Sequence, residues 1–310
     1  MILDIKNLKT VKDFIRWGAS RFSEANLTFG HGMSSALDEA VYLVLNALHL
    51  PVDTPNSYWD GRLTPTEIET VQTLLLRRIN ERKPAAYLTN EGWFAGLSFF
   101  VDERVLVPRS PIAELVETQF SPWVEPEAVE SILDLCTGSG CIGIACAYAF
   151  VNAKVDLADI SQDAIDVATL NIQRHDAQQQ VQAICSDLFS HLDKKKYDII
   201  VSNPPYVDVE DMSALTDEFL HEPELALSSG EDGLDLTLKI LYQAADYLTD
   251  NGILVVEVGN SQYALMQRFP NVPFHWLEFE RGGDGVFLLD KHQLEIFFQK
   301  YSGEGGSDDG

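Results

Sequence analysis

The residues Ser202 to Asp208 read SNPPYVD and directly follow the apolar run YDIIV. Pro204 holds Asn203 away from helical angles, and both Pro204 and Pro205 fix their own φ without offering an N–H. The segment is therefore poor in donors and rich in acceptors, which suits a substrate that arrives carrying an NH2 group. An amide or aromatic NH2 is a weak nucleophile, because its lone pair is delocalised into the neighbouring π-system. Two acceptors, the Asn203 side-chain oxygen and the Pro204 carbonyl, can hold its two protons and turn the lone pair toward an electrophilic methyl group. Such chemistry needs positioning more than a strong base, and aligned reactants can remove roughly 7–11 kcal/mol of barrier. Tyr206 would supply a flat wall for a planar group. The plainer reading is a Pro-Pro strand terminator.

A second constellation, LDLCTGSGCIG, carries Gly138, Gly140 and Gly143 in G-x-G-x-x-G spacing between a predicted strand and a predicted helix. Glycines there let the backbone turn tightly and approach a ligand at the helix N-terminus. Asp159 ends the next strand, where a carboxylate can accept both hydrogen bonds of a ribose diol. A nucleoside-bearing cofactor is expected, either a dinucleotide or S-adenosyl-L-methionine. Asp134, just before the loop, would repel a pyrophosphate but can face an ammonium group, which favours the methionine-bearing ligand. Asp187, in CSDLF, is placed to accept from an adenine amino group, with Leu188 and Phe189 as apolar neighbours. Each acid alone could be a solvated strand end; their recurrence after successive strands strengthens the ligand reading.

The elements that must position these residues alternate from about Ser131. SILDL, KVDLADI, VQAICSD, YDIIVSN and GILVVEVG read as strands, and CIGIACAYAF, SQDAIDVATLNIQRH and GLDLTLKILYQAADYLTDNG as the helices between them. The pattern predicts an α/β fold with a doubly wound parallel sheet. FHWLEFE and GDGVFLLDK, separated by RGG, should pair antiparallel at its edge. Residues 1–83 read as an N-terminal helical domain for packing or recognition, with Leu8, Val11, Phe14, Ile15 and Phe22 on one face of its first helix. Residues 84–130 read as a β-hairpin and linker with a short helix in SPIAELVETQF, 131–302 as the α/β domain, and 303–310 as a disordered tail.

Composition narrows the partners. The net charge of −26 over 310 residues argues against binding naked nucleic acid through a broad basic face and favours basic or neutral partners. No apolar run approaches the ~20 residues of a membrane span, and the N-terminal stretch lacks a secretory apolar core, so a cytoplasmic protein is expected. Cys136, Cys141, Cys146 and Cys185 have neither C-x-x-C nor zinc spacing, which predicts no metal and buried reduced thiols. Arg109, after VLVP, reads either as a residue shaping the substrate entrance or as an exposed loop cation. Glu222 and Asp232, beyond the fourth strand where a lid could lie, read as solvated loop acids.

Together, DLCTGSGC and SNPPY resemble the HemK-type glutamine methyltransferases, a seven-stranded S-adenosylmethionine-dependent class. The resemblance spans nearly the whole chain, including the helical N-terminus, the hairpin YLTNEGWFAGLSFFVDERVLVPRSP and the segment HEPELALSSGEDGLD. FVDERVLVPRSPI and FERGGDGVF are similar to the branch that modifies large-subunit ribosomal protein L-three; a sister branch acts on peptide release factors. The resemblance implies that Cys136, Thr137, Gly138, Ser139 and Gly140 wrap the methionine part of S-adenosyl-L-methionine. It also implies that Asp159 holds the ribose, Asp187 and Leu188 flank the adenine, and Asn203, Pro204, Pro205 and Tyr206 hold the substrate amide. Leu188, where the release-factor branch often has an aromatic residue, and Cys136 in place of Gly at the start of the loop depart from that branch. The implied partner is a basic ribosomal protein or its assembly intermediate. A nucleic-acid exocyclic-amine methyltransferase would pose the same problem to the same acceptors, and a nucleoside-binding assembly factor without catalysis is the reading outside enzymes.

Overall fold

A computed structural model describes residues 7–298. The expected disordered tail lies outside the described residues. The chain divides into two compact units: one runs to Gly92 and adds Val101–Glu103 and Leu215–His221, and the other comprises Trp93–Phe100, Arg104–Ala214 and the chain from Glu222 onward.

In the first unit, α1 (Val11–Glu24) starts at Thr10 and α3 (Pro65–Glu81) at Thr64, both with capping boxes; α2 (Ala36–Ala47) lies between them, capped by Ser35. Each cap satisfies N–H groups that the first turn leaves open. A short α4 (Ala85–Thr89) follows. Leu8, Val11, Phe14, Ile15 and Phe22 are all buried, together with Leu43, Leu45, Val71 and Leu75. Three buried residues in this unit are charged: Glu39, Arg78 and Glu218. Arg78 donates from Nε to Glu39 Oε1 at 2.5 Å, donates from an Nη to the Thr28 carbonyl at 3.1 Å, and lies 3.5 Å from Glu218 Oε1. Glu218 in turn accepts from the Thr28 N–H at 3.1 Å. The helical unit is thus completed by a segment that is remote in sequence.

The chain passes into the second unit within a hairpin, β1 (Gly92–Phe94) and β2 (Leu97–Phe99), followed by a short α5 (Ile112–Glu117). Its sheet is built from β3 (Ser131–Leu135), β4 (Lys154–Asp159), β5 (Val181–Cys185), β6 (Tyr197–Ser202), β7 (Leu248–Glu257), β8 (His275–Trp276) and β9 (Val286–Asp290), in the order β5-β4-β3-β6-β7-β9-β8. β3 to β7 are parallel, while β9 runs antiparallel to both β7 and β8. The pair expected at the edge is present, but β9 lies inside it and only β8 is the edge strand.

Alternate residues feed opposite layers, as a pleated strand requires. Ile132, Ile199 and Val255 pack with α6 (Cys141–Ala149) and α7 (Gln162–Arg174) on one face; Leu133, Ile200 and Val256 pack with α9 (Asp235–Gln243) and α11 (Lys291–Phe297) on the other, α8 (Val209–Ser213) and α10 (Gln262–Arg268) being the remaining helices. This is the doubly wound arrangement. The chain winds outward from β3 through β4 to β5, then returns to the far side of β3 with β6. Ligands bind such sheets at this reversal, beyond the carboxyl ends of the strands.

The helical pattern of GLDLTLKILYQAADYLTDNG extends too far. α9 ends at Gln243, a 3-10 turn follows, and Leu248 already pairs with Tyr197 in the sheet. Within β7, a Cβ at Gly252 would lie 2.8 Å from the Tyr197 carbonyl oxygen, so the strands approach there where only glycine fits.

Candidate active site

The loop between β3 and α6 is held from below by Asp134. This carboxylate is fully buried, and its Oδ2 accepts from Thr137 Oγ1 at 2.5 Å and from the Gly143 N–H at 2.9 Å. Its Oδ1 is buried without a hydrogen-bond partner among the described residues. Burial pushes its pKa up to about 7, with the two donors opposing the shift. The loop itself rises through left-handed backbone at Cys136 (φ 57), Gly138 (φ 54) and Gly140 (φ 80). No atom lies within 4 Å of where a Gly138 Cβ would stand, whereas a Gly143 Cβ would fall 2.1 Å from Leu157. Gly138 therefore leaves space for a ligand, and Gly143 lets α6 approach β4.

Asp159, at the end of β4, closes the other side of this loop. Its Oδ2 accepts from the Gly138 N–H and its Oδ1 from the Ser161 N–H, both at 2.9 Å. Each oxygen keeps lone-pair capacity for a further donor. Burial raises its pKa against those backbone bonds. After β5, Ser186 Oγ donates to the Leu188 carbonyl at 2.7 Å and accepts from the His191 N–H at 3.0 Å, fixing a turn in which Leu188 has φ 47.

Cys136, Thr137, Gly138, Ser139, Asp159, Asp187 and Leu188 line one cavity together with Asn203, Pro205 and Arg109. The cavity is partly open to solvent, and about 1090 Å³ of atom-free space lies within and before it. Gly140, Asp134, Pro204 and Tyr206 are not among its lining residues. Asp134 lies behind the loop, Gly140 packs against Leu157, Ala168 and Ile144, and Pro204 is buried. The Tyr206 hydroxyl donates to Glu257 Oε1 at 3.0 Å, and burial raises the pKa of both groups. Phe189 is turned into the core, stacked on Tyr247 with ring centres 4.5 Å apart.

Glu222 differs from its sequence reading as a solvated loop acid, and of the two readings of Arg109 the exposed loop cation does not hold. The Glu222 side chain is wholly buried and takes a bidentate pair from Arg109 at 2.6 and 2.8 Å, plus the Val107 N–H at 3.0 Å. Placing an acid among these three donors is what makes its burial tolerable. Asp232 is half-buried; it accepts from the Leu234 N–H at 3.1 Å and lies 3.4 Å from Arg268. Of the four cysteines, all are free thiols, but Cys185 is exposed and Cys136 only half-buried. Burial raises the Cys136 thiol, which leaves it unreactive as a nucleophile.

Two positioning residues escaped the sequence reading. Asn171 on α7 donates to the Ser139 carbonyl at 2.8 Å and binds both backbone groups of Phe100, at 2.7 and 3.0 Å. An Asn on the buried stripe of a helix was its signal. Glu257 ends β7 as Asp134 follows the core of β3, and an acid closing the apolar run ILVVE was visible too.

Among the described residues no His, Cys, Asp and Glu cluster could hold a metal ion, and no helix is long and apolar enough to cross a membrane. The methyltransferase small domain family model matches residues 120–233. A ribosomal protein uL3 glutamine methyltransferase of Francisella tularensis subsp. tularensis is 50% identical over 301 residues, covering 96% of both chains. One of the same name from Neisseria gonorrhoeae is 50% identical over 291 residues, covering 93% of this chain and 97% of the other. Among solved structures, a methyltransferase from Pyrococcus furiosus is 18% identical with a TM-score of 0.45, covering 63% of this chain and 89% of that one. The chain belongs to the family of ribosomal protein uL3 glutamine methyltransferases.

Proposed function

We propose that this protein transfers a methyl group from S-adenosyl-L-methionine to the side-chain amide nitrogen of a glutamine in ribosomal protein uL3. The observation that carries the reading is one cavity lined both by the glycine loop with Asp159 and by Asn203. The residues fit the cofactor: Gly138 leaves an open cradle, Asp159 keeps acceptor capacity on both oxygens, and Asp187 and Leu188 stand on the same wall. The bound cofactor supplies an electrophilic methyl on a sulfonium. Cys136 to Ser139 would hold its methionine part, Asp159 its ribose, and Asp187 with Leu188 its adenine.

Asn203 and Pro204 do the work on the substrate side. The Asn203 side-chain oxygen and the Pro204 carbonyl accept the two amide protons and keep the nitrogen lone pair directed at the methyl. Ser202 Oγ, donating to the Leu135 carbonyl at 2.8 Å, anchors the preceding residue to β3. The Arg109–Glu222 pair, with Pro205, shapes the entrance.

A basic protein partner is supported by charge. The stretch from Val207 to Asp235, which continues from the Asn-Pro-Pro-Tyr turn, contains no Lys or Arg and ten Asp or Glu, of which Glu218 and Glu222 are buried in ion pairs and the others reach solvent. A protein that packs on ribosomal RNA must carry phosphate-neutralising Lys and Arg, so its segments complement this surface. We infer that the substrate is met in the cytoplasm, free or within an assembly intermediate, with no membrane and no free nucleic acid engaged. The test offers labelled cofactor with hypomethylated uL3, release factors and stripped ribosomal RNA, and locates the methylated residue by mass spectrometry. Label on a uL3 glutamine is expected; label on RNA or on a release factor alone would overturn the substrate.

A further inference from the structure

Tyr206 sits in a socket made by residues that no sequence motif assigns. Its hydroxyl donates to Glu257 Oε1 at 3.0 Å, and its carbonyl accepts from Ser261 Oγ at 3.0 Å. Gly259, at φ 46, lies against its ring: a Cβ there would come within 2.6 Å of the Tyr206 Cε2 atom. Gly233 is equally close to its carbonyl, where a Cβ would lie 2.2 Å from the oxygen. The second oxygen of Glu257 accepts a short hydrogen bond from Ser110 Oγ, and Ser110 belongs to the cavity wall that carries Arg109. Glu257 is itself nearly fully buried, 6% exposed, at the last residue of β7, where it pairs with Val286.

We propose that Glu257 is the positioning residue for the amide-holding turn, fixing Tyr206 and Ser110 together so that the Asn203 and Pro204 acceptors keep one geometry. Between Ser202, tied to β3, and Tyr206, tied to β7, the chain has only Asn203 and two prolines of fixed φ. With both ends pinned, the acceptors have almost no freedom left. Tyr206 acts through its socket, not as a substrate contact. A buried carboxylate is well suited to this, because it accepts from two hydroxyls at once and each charge-assisted bond is stronger than a neutral one.

The proposal rests on the amide-methylating reading, so one readout is independent of it. Hydrogen exchange of the free protein over residues 206–210 is compared among wild type, Glu257→Ala, Glu257→Gln, Tyr206→Phe and Ser110→Ala. Loss of protection in Glu257→Ala and Tyr206→Phe is expected; unchanged protection in both overturns the proposal whatever the substrate is. With the methyl acceptor, both variants should lose about ten- to a hundredfold in kcat while KM and calorimetric cofactor affinity stay within about twofold. The double variant should lose no more than the worse single one; multiplicative losses would mean two separate routes and overturn it. Glu257→Gln keeps an acceptor for Tyr206 and should restore most protection and turnover; a Gln variant as impaired as Ala would refute the hydrogen-bonding role. If wild type fails to methylate uL3, the substrate reading falls while the exchange data still decide the role of Glu257.

Discussion

Removing the Glu222 carboxylate should destabilise the α/β unit far more than deletion of a loop acid normally does. In Glu222→Ala, Arg109 loses both arms of a bidentate pair and the buried Val107 N–H loses its acceptor. Breaking one side of a buried ion pair costs about 3–5 kcal/mol. The Arg109 side chain is 23% exposed, so water can rehydrate part of the guanidinium and the ionic part falls at the lower end of that range. The orphaned Val107 N–H adds about 1 kcal/mol, the lower bound for an unsatisfied buried donor. A total near 4 kcal/mol is a large share of the roughly 5–15 kcal/mol that stabilises a domain. At about 2–4 °C per kcal/mol, the transition should fall by roughly 10 °C.

Differential scanning calorimetry measures this directly, with two companions that isolate the cause. Glu222→Gln keeps the acceptor for Val107 and the shape while losing the charge, so it should lie about midway. Arg109→Met combined with Glu222→Leu removes both charges and should recover most of the loss, because the pair is replaced as a whole by apolar side chains. A Glu222→Ala protein that melts within about 2 °C of wild type would refute the reasoning, since it would mean the pair contributes no more than an exposed one.

The remaining predictions concern the two halves of the cavity. Asn203→Ala should leave calorimetric affinity for S-adenosyl-L-methionine within about threefold and lower turnover at least about a hundredfold, because only the positioning of the amide is lost; near-normal turnover would remove Asn203 from the chemistry. Asp159→Ala should weaken cofactor binding by about ten- to a hundredfold, the worth of one hydrogen bond to a charged group, and an unchanged affinity would count against a ribose contact. Gly138→Ala should cost about 1–2 kcal/mol of left-handed strain and impair cofactor binding, whereas Gly143→Ala should chiefly lower the melting temperature, its Cβ falling 2.1 Å from Leu157. Asp134 keeps its proton in the folded state up to about pH 7 but releases it near 3.8 when unfolded. The unfolded state therefore binds fewer protons between those values, and this group's contribution to stability falls as pH rises from about 4 to 7, by up to about 1.4 kcal/mol per unit. Asp134→Asn should flatten that slope in denaturation midpoints taken between pH 5 and 7.5; an unaltered slope would show that Asp134 is ionised throughout.

The doubly wound sheet was readable because its evidence is local and repeated: short apolar runs, a helix after most of them, and turn residues between. The N-terminal helices were readable for the same reason, with Thr64 before Pro65 marking the start of the third. What failed was anything decided by distant partners. Helical periodicity runs on past Gln243, yet Leu248 is claimed by Tyr197 in β6. Glu222 looks like one acid among many in a charged loop, and only Arg109 and Val107, more than a hundred residues earlier, make it a buried one. Phe189 looks like a neighbour for a ligand ring, but Tyr247 holds it in the core.

The acids that close the strands show the same limit within a single motif class. Asp134, Asp159, Asp187 and Glu257 all follow apolar runs of the parallel sheet, and a strand-end carboxylate looks the same in each case. Only Asp159 and Asp187 line the cavity. Asp134 faces back into the loop it organises, and Glu257 faces across to two hydroxyls on separate segments. The difference is set by what lies above each strand end. Over β4 and β5 there is open space; over β3 the glycine loop folds back, and over β7 the Asn-Pro-Pro-Tyr turn is seated. Asp134 and Glu257 are enclosed by the loops they brace, whereas Asp159 accepts from the Gly138 N–H of the same glycine loop and still lines the cavity. The strand-end acid is thus one device with two uses, bracing a loop and facing the cavity, and the path of the chain over each strand end decides between them.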